Sequence, residues 1–203
     1  MSPEAVRANL ERILAEVGPE VTIVAATKYV SLEDMDVLAA AGVKVVGENR
    51  AQDLERKHAA HGDAFRWHFI GHLQSNKAKV VNGICELVHS LASESAAQRL
   101  TIPALVEVNL SGEASKSGVA PEELPALIAA YPDVRGLMTM PPAAAEPEGS
   151  RPYFRRLREL ATEHGLQELS MGTSQDYRVA VEEGATLIRL GSVLFQEPGQ
   201  DKP

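Results

Sequence analysis

Apolar positions along this chain follow two alternating rhythms, short near-continuous runs of strand length and longer stretches of helical period. The runs predict strands at 21 to 27, 43 to 46, 67 to 70, 84 to 88, 103 to 109, 134 to 138, 168 to 170 and 186 to 190. The periodic stretches predict helices near 32 to 41, 49 to 60, 74 to 81, 93 to 100, 121 to 130, 150 to 164 and 174 to 183, with Gly42, Gly165 and Gly184 as helix stops. Ahead of the first strand, Ser2 and Pro3 open one more helix. Its stripe is Val6, Leu10, Ile13, Leu14 and Val17, and Gly18-Pro19 closes it. Eight βα alternations with no dividing linker predict an α/β protein. The expected architecture is a single (β/α)8 TIM-type barrel domain spanning 1–203, with an extra N-terminal helix, close to the lower size limit of about 200 residues for that fold. A doubly wound open sheet would need fewer strands or a glycine-rich first turn, and ATKYVS after the first run has no glycine. The stretch PPAAAEPEGS, Pro141 to Ser150, reads as a loop over the barrel mouth.

Composition narrows the partners. The 203 residues are 44% hydrophobic and 24% charged, ordinary for a globular chain able to bury a core. A formal net charge of -8 argues against a general nucleic-acid binder, because neutralising phosphates needs clustered Lys and Arg. The densest basic group, Arg155, Arg156 and Arg158, reads as a solvated helix face. The single cysteine, Cys85, lies in an apolar stretch and reads as a small core residue, which fits a reducing compartment. The N-terminus lacks a continuous apolar segment, and no later stretch approaches about 18 uncharged apolar residues. The chain is therefore expected to be soluble, cytoplasmic and without membrane contact. No histidine pair has a metal-ligand spacing, so no metal is predicted.

A barrel also predicts where chemistry gathers, since alternate strand residues face inward and functional groups collect at the C-terminal strand ends. Val24, Ala26 and Lys28 share one parity, as do Leu187, Arg189 and Gly191. In the fifth strand Leu105, Glu107 and Asn109 are expected to face the lumen. The amine of Lys28 and the Gly191-Ser192 turn then reach the same mouth, with Arg189 one layer deeper. An amine for an aldehyde, a cradle for a phosphate and a guanidinium for a pyridine nitrogen are the equipment for holding pyridoxal phosphate.

The residues also carry a family resemblance. AATKYVS around Lys28, VVGENRAQD (Val45 to Asp53), WHFIGHLQSNK (Trp67 to Lys77), VEVNLSGEASKSG (Val106 to Gly118), RGLMTM (Arg135 to Met140), LSMGTSQDYRVAVEEG (Leu169 to Gly184) and LIRLGSVLF (Leu187 to Phe195) follow one another over nearly the whole chain. In these segments the chain resembles the pyridoxal phosphate homeostasis proteins, the YggS/PROSC family, whose barrel is similar to the N-terminal domain of alanine racemase. The resemblance implies pyridoxal 5'-phosphate (PLP) held as a Schiff base on Lys28. It implies a phosphate among Ser170, Ser174, Gly191 and Ser192, Arg189 at the pyridine nitrogen, and Asn49 and His68 near the cofactor. Asn49 serves equally well as a helix N-cap and His68 as a packing histidine. His72, in the same strand-end loop, is a weaker candidate. The chain departs from the family at Tyr29, which either covers the lysine or packs the rim. It departs again at Thr173, a possible phosphate donor in place of an apolar residue, and in a shortened helix between Ala92 and Pro103.

Three functions fit this reading. The preferred one is a carrier and buffer of PLP in vitamin B6 homeostasis, without catalytic turnover, that delivers its cargo to PLP-dependent apoenzymes and works as a monomer. The alternative is a PLP-dependent amino-acid racemase of weak activity. Racemisation needs two bases on opposite faces of the α-carbon, and Lys28 supplies one. The chain ends about eight residues after Phe195, too soon for the β-domain that brings the second base in alanine racemase. The third reading is a barrel for another phosphate ester, with Lys28 acting only through its charge.

Overall fold

The run that ends at Lys28 opens a closed parallel barrel. A computed structural model describes residues 1–113 and 116–197. Ala114 and Ser115, inside one of the family segments, and the C-terminal residues of the expected domain lie outside that description. The strands are β1 Thr22–Ala26, β2 Val45–Glu48, β3 Arg66–Phe69, β4 Leu87–Leu91, β5 Ala104–Glu107, β6 Val134–Met138, β7 Glu168–Ser170 and β8 Leu187–Leu190. The helices are α1 Pro3–Val17, α2 Asp34–Ala41, α3 Ala51–His61, α4 Ala78–Ile84, α5 Glu94–Ala97, α6 Leu124–Ala130, α7 Arg151–Glu163, α8 Tyr177–Glu182 and α9 Ser192–Phe195. Each strand pairs in parallel with the next, and β8 returns to β1 with Val24 opposite Arg189. This is the (β/α)8 barrel with an added N-terminal helix that the sequence predicts. No described helix is long and apolar enough to cross a membrane.

Local chemistry sets the ends of α1. Pro3 sits in the first turn, where its missing N–H costs nothing, and the Ser2 hydroxyl accepts from the Ala5 amide at 3.3 Å. Gly18, at φ 82°, turns the chain out of the helix. Val6, Ile13 and Val17 are buried while Leu14 is exposed, so the apolar stripe is narrower than its sequence spacing suggests. The truncated helix expected before β5 is present as the four-residue α5, capped by the Ser93 hydroxyl.

Most strands fall where the apolar runs lie, and β4 does not. It begins at Leu87 because α4 continues to Ile84 and the Cys85 amide still donates to the Val81 carbonyl. Ile84 and Cys85 therefore belong to a helix end, a distinction that a short apolar run cannot make. Burial pushes the Cys85 thiol up to about 12, so it packs as an inert core group. Asn109 is a second departure. β5 ends at Glu107, inward parity lapses there, and the Asn109 side chain donates instead to the Glu113 carbonyl in the following loop. The Arg155, Arg156 and Arg158 face is solvated as expected and pairs with Glu183, Glu159 and Glu163.

Two apolar layers result. A large core lies between strands and helices, and a small cluster of Val24, Val45, Leu87, Leu105, Met138 and Leu187 fills part of the lumen. The rest of the lumen is polar. His68, His89, Ser170, Glu107 and Arg189 are all buried there or at its rim.

Candidate functional site

The C-terminal mouth of the barrel opens into a cavity of about 730 Å³. Lys28, Asn49, Ser174, Arg189, Gly191 and Ser192 all line it, so six of the eight residues singled out in the sequence come together. Lys28 is exposed and lies two residues beyond the end of β1, its Nζ 4.6 Å from the centre of the Tyr29 ring. Tyr29 is 89% exposed, so it stands on the rim beside the lysine and does not cover it.

The backbone carrying Lys28 is held from behind by a buried ion pair. Lys57 of α3 reaches back to donate to the Thr27 carbonyl at 2.7 Å and to the Glu48 carboxylate at 2.5 Å. The Thr27 hydroxyl donates to the same carboxylate at 2.7 Å, and the Asn49 amide donates to its other oxygen at 3.2 Å. One carboxylate thus ties the residues just before Lys28 to Asn49 itself. Gly71 closes the arrangement from the β3 side, where a Cβ would come within 2.1 Å of the Asn49 carbonyl oxygen. Asn49 is not the N-cap of α3, since Arg50 holds that place. The Asn49 Oδ1 is buried with no hydrogen-bond partner among the described residues.

Opposite, the turn after β7 builds the second wall. The Asp176 carboxylate captures the Thr173 amide at 2.7 Å and its hydroxyl at 3.0 Å, which forms a tight turn ahead of α8. The Thr173 hydroxyl is therefore already engaged. The turn leaves Ser174 on the cavity, where its Oγ accepts from the Gly191 amide at 3.1 Å and the Val193 amide at 3.3 Å. Gly172, at φ 92°, brings the segment close to α8, for a Cβ there would lie 2.6 Å from the Ala180 Cβ. The Ser192 amide has no protein acceptor among the described residues.

Arg189 forms the floor. Its Nη2 donates to the Thr139 carbonyl at 3.0 Å and its Nη1 to the Ser170 hydroxyl. Burial lowers the guanidinium to about 10, against the opposing pull of Glu107 and Asp176, and leaves it a cation at neutral pH. Glu48 does not pair with it, being committed to Lys57, and Glu107 acts on it through charge without direct contact. Burial raises the Glu107 carboxyl above its usual range, opposed by Arg189 and His72.

His68 and Ser170 are not on the cavity. Ser170 is fully buried, with its hydroxyl under Arg189 in place of a phosphate. His68 lies near the other end of the lumen, lining a smaller cavity at the N-terminal mouth with Glu86 and Arg66. Its place is low in the barrel because, although one residue before the end of the short β3, it sits opposite Leu87, the first residue of β4. His72 does line the upper cavity, as does Glu107. Sequence reasoning missed Lys57, which stands among charged helix residues, and His89, which fell just beyond the predicted end of the fourth strand. No group of three or more His, Cys, Asp or Glu among the described residues is arranged to hold a metal.

Comparison with known proteins identifies the family and the fold. Residues 1–198 match the family described as alanine racemase, N-terminal domain. The pyridoxal phosphate homeostasis protein of Aquifex aeolicus is 43% identical over 196 residues, covering 86% of each chain. That of Deinococcus radiodurans is 39% identical over 211 residues, covering 96% of this chain and 100% of the relative. PipY of Synechococcus elongatus, whose structure is known without PLP and with PLP bound, superposes with a TM-score of 0.84 at 31% identity over 94% of this chain and 100% of its own. Alanine racemase from Corynebacterium glutamicum shares the fold at a TM-score of 0.75 and 18% identity. The chain belongs to the family of pyridoxal phosphate homeostasis proteins, built on the alanine racemase N-terminal domain.

Proposed function

We propose that this chain binds pyridoxal 5'-phosphate in the upper cavity, bonded covalently to Lys28, and serves as its carrier and buffer. The observation that carries the proposal is the convergence of a primary amine, a buried guanidinium and the Ser174, Gly191 and Ser192 turn on one cavity. The relatives named for pyridoxal phosphate homeostasis and PipY with PLP bound support it.

The residues present fit the group. The buried Asn49 Oδ1 is a polar atom that the protein itself leaves unsatisfied, and the exposed Ser192 amide has no protein acceptor among the described residues, so both are open to a polar ligand. When bound, the cofactor supplies an electrophilic aldehyde and a ring that can take up charge. Lys28 Nζ is the nucleophile for that aldehyde. The Ser174 hydroxyl and the Ser192 amide hold the phosphate in the turn that Gly191 opens, the Gly191 amide itself orienting Ser174, and Arg189 donates to the pyridine nitrogen. Because a guanidinium has donors and no acceptor, it favours the unprotonated pyridine and so a poor electron sink. That disfavours carbanion chemistry and suits storage. Tyr29 at the rim leaves Lys28 accessible for transfer of the cofactor to apoenzymes, with the chain acting as a monomer in the cytoplasm.

Borohydride reduction of the PLP-loaded protein, followed by peptide mapping, tests the assignment. A phosphopyridoxyl group is expected on Lys28, and Lys28→Ala is expected to lose it while keeping weak phosphate-directed binding. No adduct, or labelling scattered over surface lysines, would return the chain to the reading of a barrel for some other phosphate ester.

A further inference from the structure

The lumen of such a barrel is ordinarily packed with layers of branched apolar side chains. In this chain the apolar cluster covers only part of the lumen, and a file of polar side chains runs through the remainder. The Arg189 guanidinium contacts the Ser170 hydroxyl, and that hydroxyl lies 2.7 Å from His89 Nδ1. His89 Nε2 lies 2.9 Å from His68 Nδ1, and His68 Nε2 lies 2.9 Å from a Glu86 carboxylate oxygen. Arg66 closes the far end, donating to Glu86 at 2.7 Å. The file passes through β8, β7, β4 and β3 and ends at the N-terminal mouth, where the Glu86 side chain is 40% exposed.

Hydrogen-bond bookkeeping allows only one direction along this file. A guanidinium only donates and an ionised carboxylate only accepts. Arg189 therefore donates to the Ser170 oxygen, and the Ser170 proton goes to His89 Nδ1. His89 Nε2–H then donates to His68 Nδ1, and His68 Nε2–H to Glu86. The reverse order would need a protonated Glu86 and would leave the Ser170 proton without an acceptor along the file. Burial lowers both histidines, His89 well below the usual range, so each ring is neutral with one donor and one acceptor. Burial works the other way on Glu86, but the bonds from Arg66 and His68 outweigh it and keep the carboxyl ionised.

We infer that His68, His89 and Ser170 are positioning residues for Arg189, forming one directional hydrogen-bond relay that links the Glu86 carboxylate at the N-terminal mouth to the ligand ring held above the guanidinium. The relay sets which guanidinium edge is engaged from below. Its three protein acceptors, the Ser170 hydroxyl, the Thr139 carbonyl and the Met140 sulfur, use only part of the five N–H donors, which leaves donors free of protein acceptors among the described residues on a side chain that lines the cavity. The last link rests on the PLP reading of the cavity, while the relay below Arg189 stands without it.

Two measurements test the relay. In the cofactor-free protein, two-bond 1H–15N correlations of histidine side chains are expected to give both His68 and His89 as Nε2–H tautomers with an unprotonated Nδ1. An imidazolium, or a proton on Nδ1 of either ring, would overturn the direction. Glu86→Ala changes only a half-exposed rim residue far from the mouth cavity, and it is expected to lose the single-tautomer pattern of His68. Glu86→Gln, whose amide oxygen still accepts, is expected to restore that pattern. With PLP loaded, the pyridine 15N resonance is expected to shift in Glu86→Ala relative to the parent, and an unchanged resonance would sink the coupling. If the parent does not hold PLP, the reading of the cavity falls, and the tautomers of the cofactor-free protein still decide the relay.

Discussion

At Asn49 the protein buries an amide oxygen and gives it nothing to bind. A lone buried polar atom costs roughly 1 to 3 kcal/mol, so the residue is a liability until a ligand arrives. Asn49→Ala is therefore expected to leave the melting temperature of the cofactor-free protein unchanged or slightly raised. The same variant is expected to weaken PLP binding by about 5- to 30-fold, the equivalent of one to two kcal/mol. Thermal melting and absorbance titration on one preparation measure both effects, and an equal loss of stability with and without the cofactor would make Asn49 a packing residue. The GEN segment marks this asparagine in the sequence, but an N-cap role was open there, and only the position of Arg50 at the start of α3 closes it. Ser170 shows the converse. Its neighbours in the sequence align it with Ser174, yet it is the last residue of β7 and points into the lumen, while Ser174 stands beyond the Thr173 turn on the cavity.

Among elements, the junction of β1, β2 and α3 carries the site. Lys57 is buried within a helix whose neighbours Glu55, Arg56 and His58 read as a solvated face, and its 1% side-chain exposure could not be inferred from them. Removing one partner of a buried pair leaves an uncompensated charge and costs about 3 to 5 kcal/mol. Lys57→Met is expected to destabilise the protein by that order in urea unfolding, and adding Glu48→Gln in the same chain is expected to recover part of the loss. The Lys57→Met variant should also label more slowly at Lys28 with PLP and borohydride, because the Thr27 carbonyl loses its donor and the Glu48 carboxylate that holds the Asn49 amide loses its counter-ion. A stability loss with an unchanged labelling rate would show that the pair supports the fold and leaves the lysine unaffected. Element boundaries tell the same story as Lys57. Strand β4 starts three residues later than its apolar run because α4 uses Ile84 and Cys85 as its final turn, and that shift is what hid His89.

For the whole molecule, the issue is whether the loaded barrel stores its cofactor or turns over an amino acid. Racemisation needs a second base facing Lys28 across the substrate. Of the other titratable side chains lining the mouth, Tyr29, Asp34 and His72 are on exposed or partly exposed residues and Glu107 is buried, its carboxyl held above the ordinary range by that burial. The carrier reading predicts that the PLP-loaded protein exchanges the α-hydrogen of alanine in deuterated water no faster than free PLP does, as followed by proton NMR. Rapid exchange that disappears in Lys28→Ala would replace the carrier with a racemase, and Glu107→Gln would then identify the second base.

The repeated alternation of apolar runs and periodic segments determined the barrel from sequence alone, because strand and helix periods are local properties of the chain. Parity along β1 and β8 likewise placed Lys28, Arg189 and Gly191 at one mouth, since closing the barrel aligns strands whose inward residues are already fixed by the two-residue repeat. Tertiary structure decided what depends on depth and on partners from distant segments. His68 and Ser170 share the inward direction of the site residues but stand opposite Leu87 and Leu187, the first residues of β4 and β8, so they join His89 in the lumen and do not reach the cavity. Lys57 became a buried anchor because Glu48 and the Thr27 carbonyl meet it across three elements. Height along a barrel strand and the charge that waits at the end of a long side chain arise only when the strands are set in register, which no single segment encodes.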